Sequence, residues 1–170
     1  MDLEAEILRE HSKRQALRIA AWVGTDRKRF GKLIALFLRG EYRVTQRAAW
    51  IVNSCAEEHP ALIRPHLGRM IKRMQEPGVH VAVKRNVIRI LQFIEIQEAL
   101  LGEVTTVCFK YLASPAEPIA VRVFSVTVLG NVAQKEPDLK RELRLVIEQQ
   151  LSSGSMGFCS RATRVLKMIE

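Results

Sequence analysis

A chain of 170 residues and 19.4 kDa holds one compact domain or a short run of repeats and is too short for two full enzyme domains. An apolar share of 48% excludes wholesale disorder, and nine glycines and six prolines, most of them between periodic segments, argue against an all-β fold of many tight turns. Lys and Arg outnumber Asp and Glu by 27 to 18, yet residues 1–89 hold 18 basic and 9 acidic side chains and residues 90–170 hold 9 of each, so the excess of the first half points to a polyanionic partner: nucleic acid, an anionic membrane surface or an acidic protein patch.

Apolar residues recur at helical spacing along almost the whole chain, and Gly24, Gly40, Pro60, Pro77-Gly78, Pro115 with Pro118, Pro137 and Gly154 with Gly157 punctuate the pattern. Helices are predicted near 3–23, 28–38, 43–57, 60–75, 79–93, 96–113, 117–132, 137–151 and 157–169. Asp26 is the expected N-cap of the second helix. In the fourth, Leu62, Ile63, Leu67, Met70, Ile71 and Met74 mark one stripe and Arg64, Arg69, Lys72 and Arg73 the opposite face. Pro65, about one turn beyond Pro60, delays or bends that helix. Ser114, Pro115 and Glu117 form either a capping box or a turn into a helix starting at Pro118. The first twenty residues carry four acids and lack the apolar core of a signal peptide, and no segment reaches the roughly 18 apolar residues of a membrane span. Cys55, Cys108 and Cys159 form no CxxC pair and fall inside apolar patterns, so they read as reduced core thiols of a cytoplasmic protein.

Four segments align: GEYRVTQRAAWIV from Gly40, EPGVHVAVKRNVIRIL from Glu76, EPIAVRVFSVTVLG from Glu117 and GFCSRATRVLKMI from Gly157. They place Arg47, Arg85, Arg122 and Arg161 in one column at separations of 38, 37 and 39, and an amphipathic helix precedes each. A period near 38 built of helix, turn and helix has the size of a HEAT or armadillo unit. These segments resemble HEAT repeats, whose second helix opens with an acidic residue and proline, then Val-Arg, then small and apolar residues. Glu117-Pro118, Val121-Arg122 and Leu129-Gly130 fit this best. Glu76-Pro77 with Lys84-Arg85 fits in a shifted register, and the first and last copies lack the acidic-proline pair. The resemblance implies an all-α, right-handed superhelix of about four helix pairs with an N-terminal capping helix. The expected layout is a single domain over 1–170, with a cap over 1–24 and repeats near 25–58, 59–95, 96–134 and 135–170.

By the same resemblance, second helices line a concave side, where Arg43, Arg47, Lys84, Arg85 and Arg89 could meet a partner or phosphates. The aligned arginines read first as a structural ladder, each tying its helix start to a neighbouring repeat, which leaves the off-column charges as the better partner candidates. Two further basic clusters lie on successive first helices: Arg27, Lys28, Arg29 and Lys32, then Arg64, Arg69, Lys72 and Arg73. Trp22 and Trp50 occupy matching places; inter-repeat packing is the first reading and stacking on a planar ligand the second. The basic half and the tryptophans resemble HEAT-like alkylpurine DNA glycosylases, but the three aspartates, Asp2, Asp26 and Asp138, sit near helix starts or the chain end and offer no catalytic carboxylate. SSGSMGF at 152–158 faintly resembles the serine loop of the adenylosuccinate lyase superfamily, without the residues expected to follow it, and reads as a turn. No metal-ligand spacing, phosphate loop or acid–base–nucleophile set is present, so no cofactor and no catalytic activity is expected. The expected function is a protein-binding scaffold, with nucleic-acid binding as the alternative. Val165, Leu166, Met168 and Ile169 in the last helix suggest an apolar end that self-association would cover.

Overall fold

A computed structural model describes all 170 residues, which form helices joined by short turns, without strands, in two compact units, Met1–Ile90 and Leu91–Glu170. The first unit contains α1 (Leu3–Arg9), α2 (Lys13–Val23), α3 (Arg27–Arg39), α4 (Tyr42–Glu58), α5 (Pro60–Ile63), α6 (Leu67–Met74) and nearly all of α7 (Val81–Leu91). The second contains α8 (Glu98–Ala113), α9 (Ile119–Lys135), α10 (Leu139–Leu151) and α11 (Met156–Met168).

Each unit is organised around one central second helix. In the first unit α4 packs against α1, α2, α3 and α5, and small buried residues along it (Ala48, Ala49, Cys55, Ala56) let those neighbours approach closely. In the second unit α9 packs against α8, α10 and α11. Val121, Val126, Val128, Leu129, Val132 and Ala133 of α9 are buried on several sides of the helix, as expected of a helix that is apolar nearly all round. The outer helices are one-sided. Helix α6 buries Leu67, Met70, Ile71 and Met74 while Arg69 and Lys72 face water.

Side-chain caps at Asp2, Ser12, Asp26 and Ser155 set four of the helix starts. The Asp26 carboxylate accepts from the backbone N–H groups of Lys28 (2.8 Å) and Arg29 (3.0 Å), as its sequence position predicts. The helix predicted over 3–23 is instead two. Glu10 is extended and the Ser12 hydroxyl accepts from the Gln15 N–H at 3.1 Å, so a new N-terminus is capped at Ser12. The buried Gln15 amide then donates to the Glu6 carbonyl (2.8 Å) and carboxylate (3.0 Å), fastening α1 to α2. At Pro65 a 3₁₀ turn, Arg64–His66, separates α5 from α6, because proline cannot donate the interior helical bond. Helix α9 begins at Ile119, after a turn through 114–118 that leaves Pro118 as N-cap.

Two contacts were not foreseen. Asn53 in α4 donates to the Ala49 carbonyl (2.8 Å) and to the Asn86 side-chain oxygen in α7 (2.9 Å), and Asn86 donates to the Ala82 carbonyl (2.8 Å). This buried amide pair gives α4 and α7 a directional link inside an apolar interface. In the second unit Gly130 lets α11 lie against α9: a Cβ placed there would stand 2.6 Å from Met168 Cε and 2.8 Å from Val165 Cγ1. The expected apolar end is therefore corrected. Val165 and Ile169 are buried and Leu166 and Met168 half-buried, while Ser160, Thr163, Arg164 and Lys167 form an exposed polar face. The helix turns its stripe inward, which removes the apolar surface on which the self-association reading rested.

Gly130→Ala is expected to destabilise the protein by about 1–3 kcal/mol, since α9 and α11 must separate to admit the methyl group. Gly102→Ala, inside α8 where an added Cβ meets open space, is expected to stabilise it by about 0.5–1 kcal/mol through helix propensity. Urea unfolding of the two variants measures the difference in sign, and shifts in the same direction would contradict the tight α9–α11 approach.

Candidate functional site

The aligned arginines have different fates. Arg47 in α4 donates to the carbonyls of Leu8 (2.8 Å) and Ile7 (3.4 Å), which are left open at the end of α1. Arg161 in α11 donates to the Thr127 hydroxyl (2.6 Å) and the Gln92 side-chain oxygen (3.0 Å). Arg122 in α9 donates to the Gln150 side-chain oxygen and lies over the Phe158 ring at 5.2 Å. These three are half-buried and each donates at least one side-chain hydrogen bond, although Arg122 Nε is buried without a partner, whereas Arg85 is exposed and forms no such bond. The partners also differ in kind: Arg47 and Arg161 reach back to earlier helices and Arg122 reaches forward to α10.

Among the off-column cations, Arg43 is exposed without an ion pair and Arg89 pairs with Glu57 at 3.5 Å, both side chains about half exposed, so that pair is weak. Lys84 is half-buried. Trp22 is half-buried and packs against Arg29 of α3, whereas Trp50 is exposed, which corrects the packing reading for Trp50 alone. The Arg29 guanidinium lies 4.5 Å above the Trp22 ring and donates to the Trp22 carbonyl at 2.6 Å, occupying that face. Trp50 is exposed, with the His11 ring edge-on at 6.3 Å.

The two first-helix clusters divide in the same way. Arg29 is held by Trp22 and by Asp26 (3.4 Å), and Arg73 by the Leu38 carbonyl (2.9 Å) and the Glu76 carboxylate. Arg27, Lys28, Lys32, Arg39, Arg64, Arg69 and Lys72 are exposed and make no ion pair. Between α3 and α6 runs a groove of about 270 Å³ lined by Ala35, Leu38, Arg39, Arg69, Lys72, Arg73 and Glu76. Arg39 was absent from the sequence-level candidates because it stands alone at the end of α3. Only the adjacency of α3 and α6 brings it to the cluster.

A second pattern also escaped the sequence reading. The first residue of each long second helix is an exposed apolar side chain: in the first unit Tyr42 (64% exposed) and Val81 (46%), in the second Ile119 (53%) and Met156 (90%). Their separations are 39, 38 and 37, the repeat period itself. In the first unit the Tyr42 ring meets the His80 ring edge-on at 4.4 Å. The signal was present in three of the aligned segments, one helical turn or so ahead of the arginine column, and Met156 immediately precedes the fourth.

Titration of the buried groups follows from their surroundings. Burial pushes the Cys55 and Cys108 thiols up to about 12, so neither is a nucleophile at neutral pH, and Cys159 donates its S–H to the Leu151 carbonyl at 3.3 Å. His66 and His80 are held below the usual 6.5 by burial, with smaller contributions from Arg69 and Arg85 respectively. Glu6 is lowered first by its bond from Gln15, Glu10 by Ser12 and Asp26 by the Arg29 N–H.

A histidine with a depressed folded pKa binds fewer protons folded than unfolded, so its contribution is complete above 6.5 and is lost as pH falls below it. Lowered carboxylates extend the loss below their unfolded value of about 4.5. Unfolding midpoints are therefore expected to be flat from pH 8 to 7 and to fall below 6.5, with a shallower slope between 6.5 and 5 in His66→Gln. An unchanged slope in that variant would contradict the environment described for His66. Arg161→Ala is expected to cost about 1–3 kcal/mol in urea unfolding and Arg85→Ala less than about 0.5 kcal/mol. Equal costs would show that the second-helix arginines play one common role.

The sequence model of the HEAT repeat domain matches residues 3–169. No curated protein and no solved structure matches the chain. No helix is long and apolar enough to cross a membrane. With paired helices throughout and a match over nearly its full length, the chain belongs to the HEAT repeat family.

Proposed function

We propose that the protein is a non-enzymatic binding module that docks a protein or peptide at the exposed starts of the second helices α4 and α7 of its first unit. The observation that carries this reading is the periodic exposure of Tyr42 and Val81 in one unit and of Ile119 and Met156 in the other. Other large apolar side chains, among them Leu8, Leu17, Phe93 and Leu145, are also exposed, but Tyr42, Val81, Ile119 and Met156 recur at the repeat period, where they can act as anchors. Tyrosine, methionine and arginine are the residue types enriched in protein interfaces, and here Tyr42 is followed by the exposed Arg43, and Val81 by Arg85 one turn on. The charged positions give orientation and association rate and the apolar ones give residence time.

Affinity capture from the source cells with the wild-type chain, Tyr42→Ser and Arg85→Glu/Arg89→Glu as parallel baits tests the reading. A partner held by the wild type is expected to be depleted at least about tenfold in both variants, the effect of one interface anchor worth 1.4 kcal/mol or more. Recovery unchanged in both would reject the helix-start surface.

A further inference from the structure

The α3–α6 face of the first unit has a different chemistry from the helix starts, and a different ligand follows from it. Helix α3 contains no acidic residue, and neither do residues 60–75. The one acid lining the groove, Glu76, is already neutralised by Arg73, whose own donors are engaged with it and with the Leu38 carbonyl. What remains are cations without partners: Arg39, Arg69 and Lys72 lining the groove, and Lys28 and Lys32 on the same stripe of α3 as Ala35 and Arg39 at helical spacing. Solvated faces ordinarily mix signs, and this one does not. None of the large apolar side chains that the molecule exposes lies on α3, α5 or α6. A protein partner needs such anchors, whereas a polyanion needs only charge at the right spacing.

We propose that this face binds the phosphate backbone of a nucleic acid without reading its sequence. From Lys28 to Arg39 the helix axis covers about 16 Å, long enough to follow several successive phosphates, and the three cations of this rail with Arg69 and Lys72 opposite allow up to five phosphate contacts. Lys28, Lys32 and Arg39 form one rail, Arg69 and Lys72 the other, and the backbone lies over the groove between them. Lysine and arginine tips reach phosphate oxygens as charge-assisted donors, and no contact to base edges is required. The protein-docking surface proposed above is not involved, so either assignment stands without the other.

The probe is a fluorescent 20-base-pair DNA duplex of arbitrary sequence, titrated with the full chain by anisotropy between about 50 and 200 mM salt, where five phosphate contacts predict a roughly 500-fold loss of affinity. Lys32→Glu/Arg69→Glu/Lys72→Glu is expected to weaken binding at least tenfold at the lowest salt. Lys72→Gln alone is expected to reduce the slope of log affinity against log salt by about one, which keeps the proposal testable should the triple variant fail to fold. Arg43→Glu/Arg85→Glu is expected to bind as the wild type does. Absence of duplex binding at 50 mM salt would overturn the proposal, as would an equal loss in the Arg43/Arg85 variant. Binding of a glutamate-rich peptide with no binding of the duplex would assign the face to an acidic protein and overturn it equally.

Discussion

A two-helix unit cannot hide its apolar stripe alone, and this constraint governs the whole molecule. Within each unit one second helix, α4 or α9, sits among its neighbours and is covered on several sides. Small residues decide how near those neighbours come: the alanines and Cys55 along α4, and Gly130 at the α9–α11 crossing. Hydrophobic burial supplies the driving force but not the register, since apolar contact has no direction. Direction comes from a few polar groups at the joints: the Asn53–Asn86 pair, Gln15 at the α1–α2 break, and the guanidinium groups of Arg47, Arg122 and Arg161. Each is shielded enough for its bonds to matter and geometrically specific enough to favour one arrangement.

Once the joints have used those side chains, what is left exposed becomes informative. The second-helix starts keep apolar residues in water at the repeat period, a chemistry suited to a protein partner. The α3–α6 face keeps a cluster of unpaired cations beside the single Arg73–Glu76 pair, a chemistry suited to phosphate. A repeat fold permits this division because the inward stripe of each helix fixes the architecture while its outward residues vary without disturbing it.

Much of this was legible in the sequence, and the misses have physical causes. Helix positions followed from apolar periodicity and from proline and glycine punctuation, and the repeat column followed from spacing. The break at Ser12 was overlooked because no glycine or proline marks it, although Ser12 and Gln15 carry the spacing of a capping box. The tryptophans read first as inter-repeat packing, but Trp22 is half-buried under Arg29 and Trp50 lies at the surface. The last helix looked open because Leu166 and Met168 were counted as outward. Its phase buries Phe158, Ala162, Val165 and Ile169 and leaves those two at the flanks. Aligned arginines could be found by counting residues, but their partners lie on other helices and vary from repeat to repeat. The groove between α3 and α6 is likewise a property of adjacency.

The measurement that tests the central packing claim most directly is native-state amide hydrogen exchange resolved by helix. Burial of α4 and α9 at the centre of their units predicts that their amides are the slowest in each unit, exchanging only with opening of the whole unit, while α1 and α10 exchange earlier through local opening. Exchange in α4 or α9 as fast as in α1 or α10 would contradict the arrangement of each unit around a single covered helix.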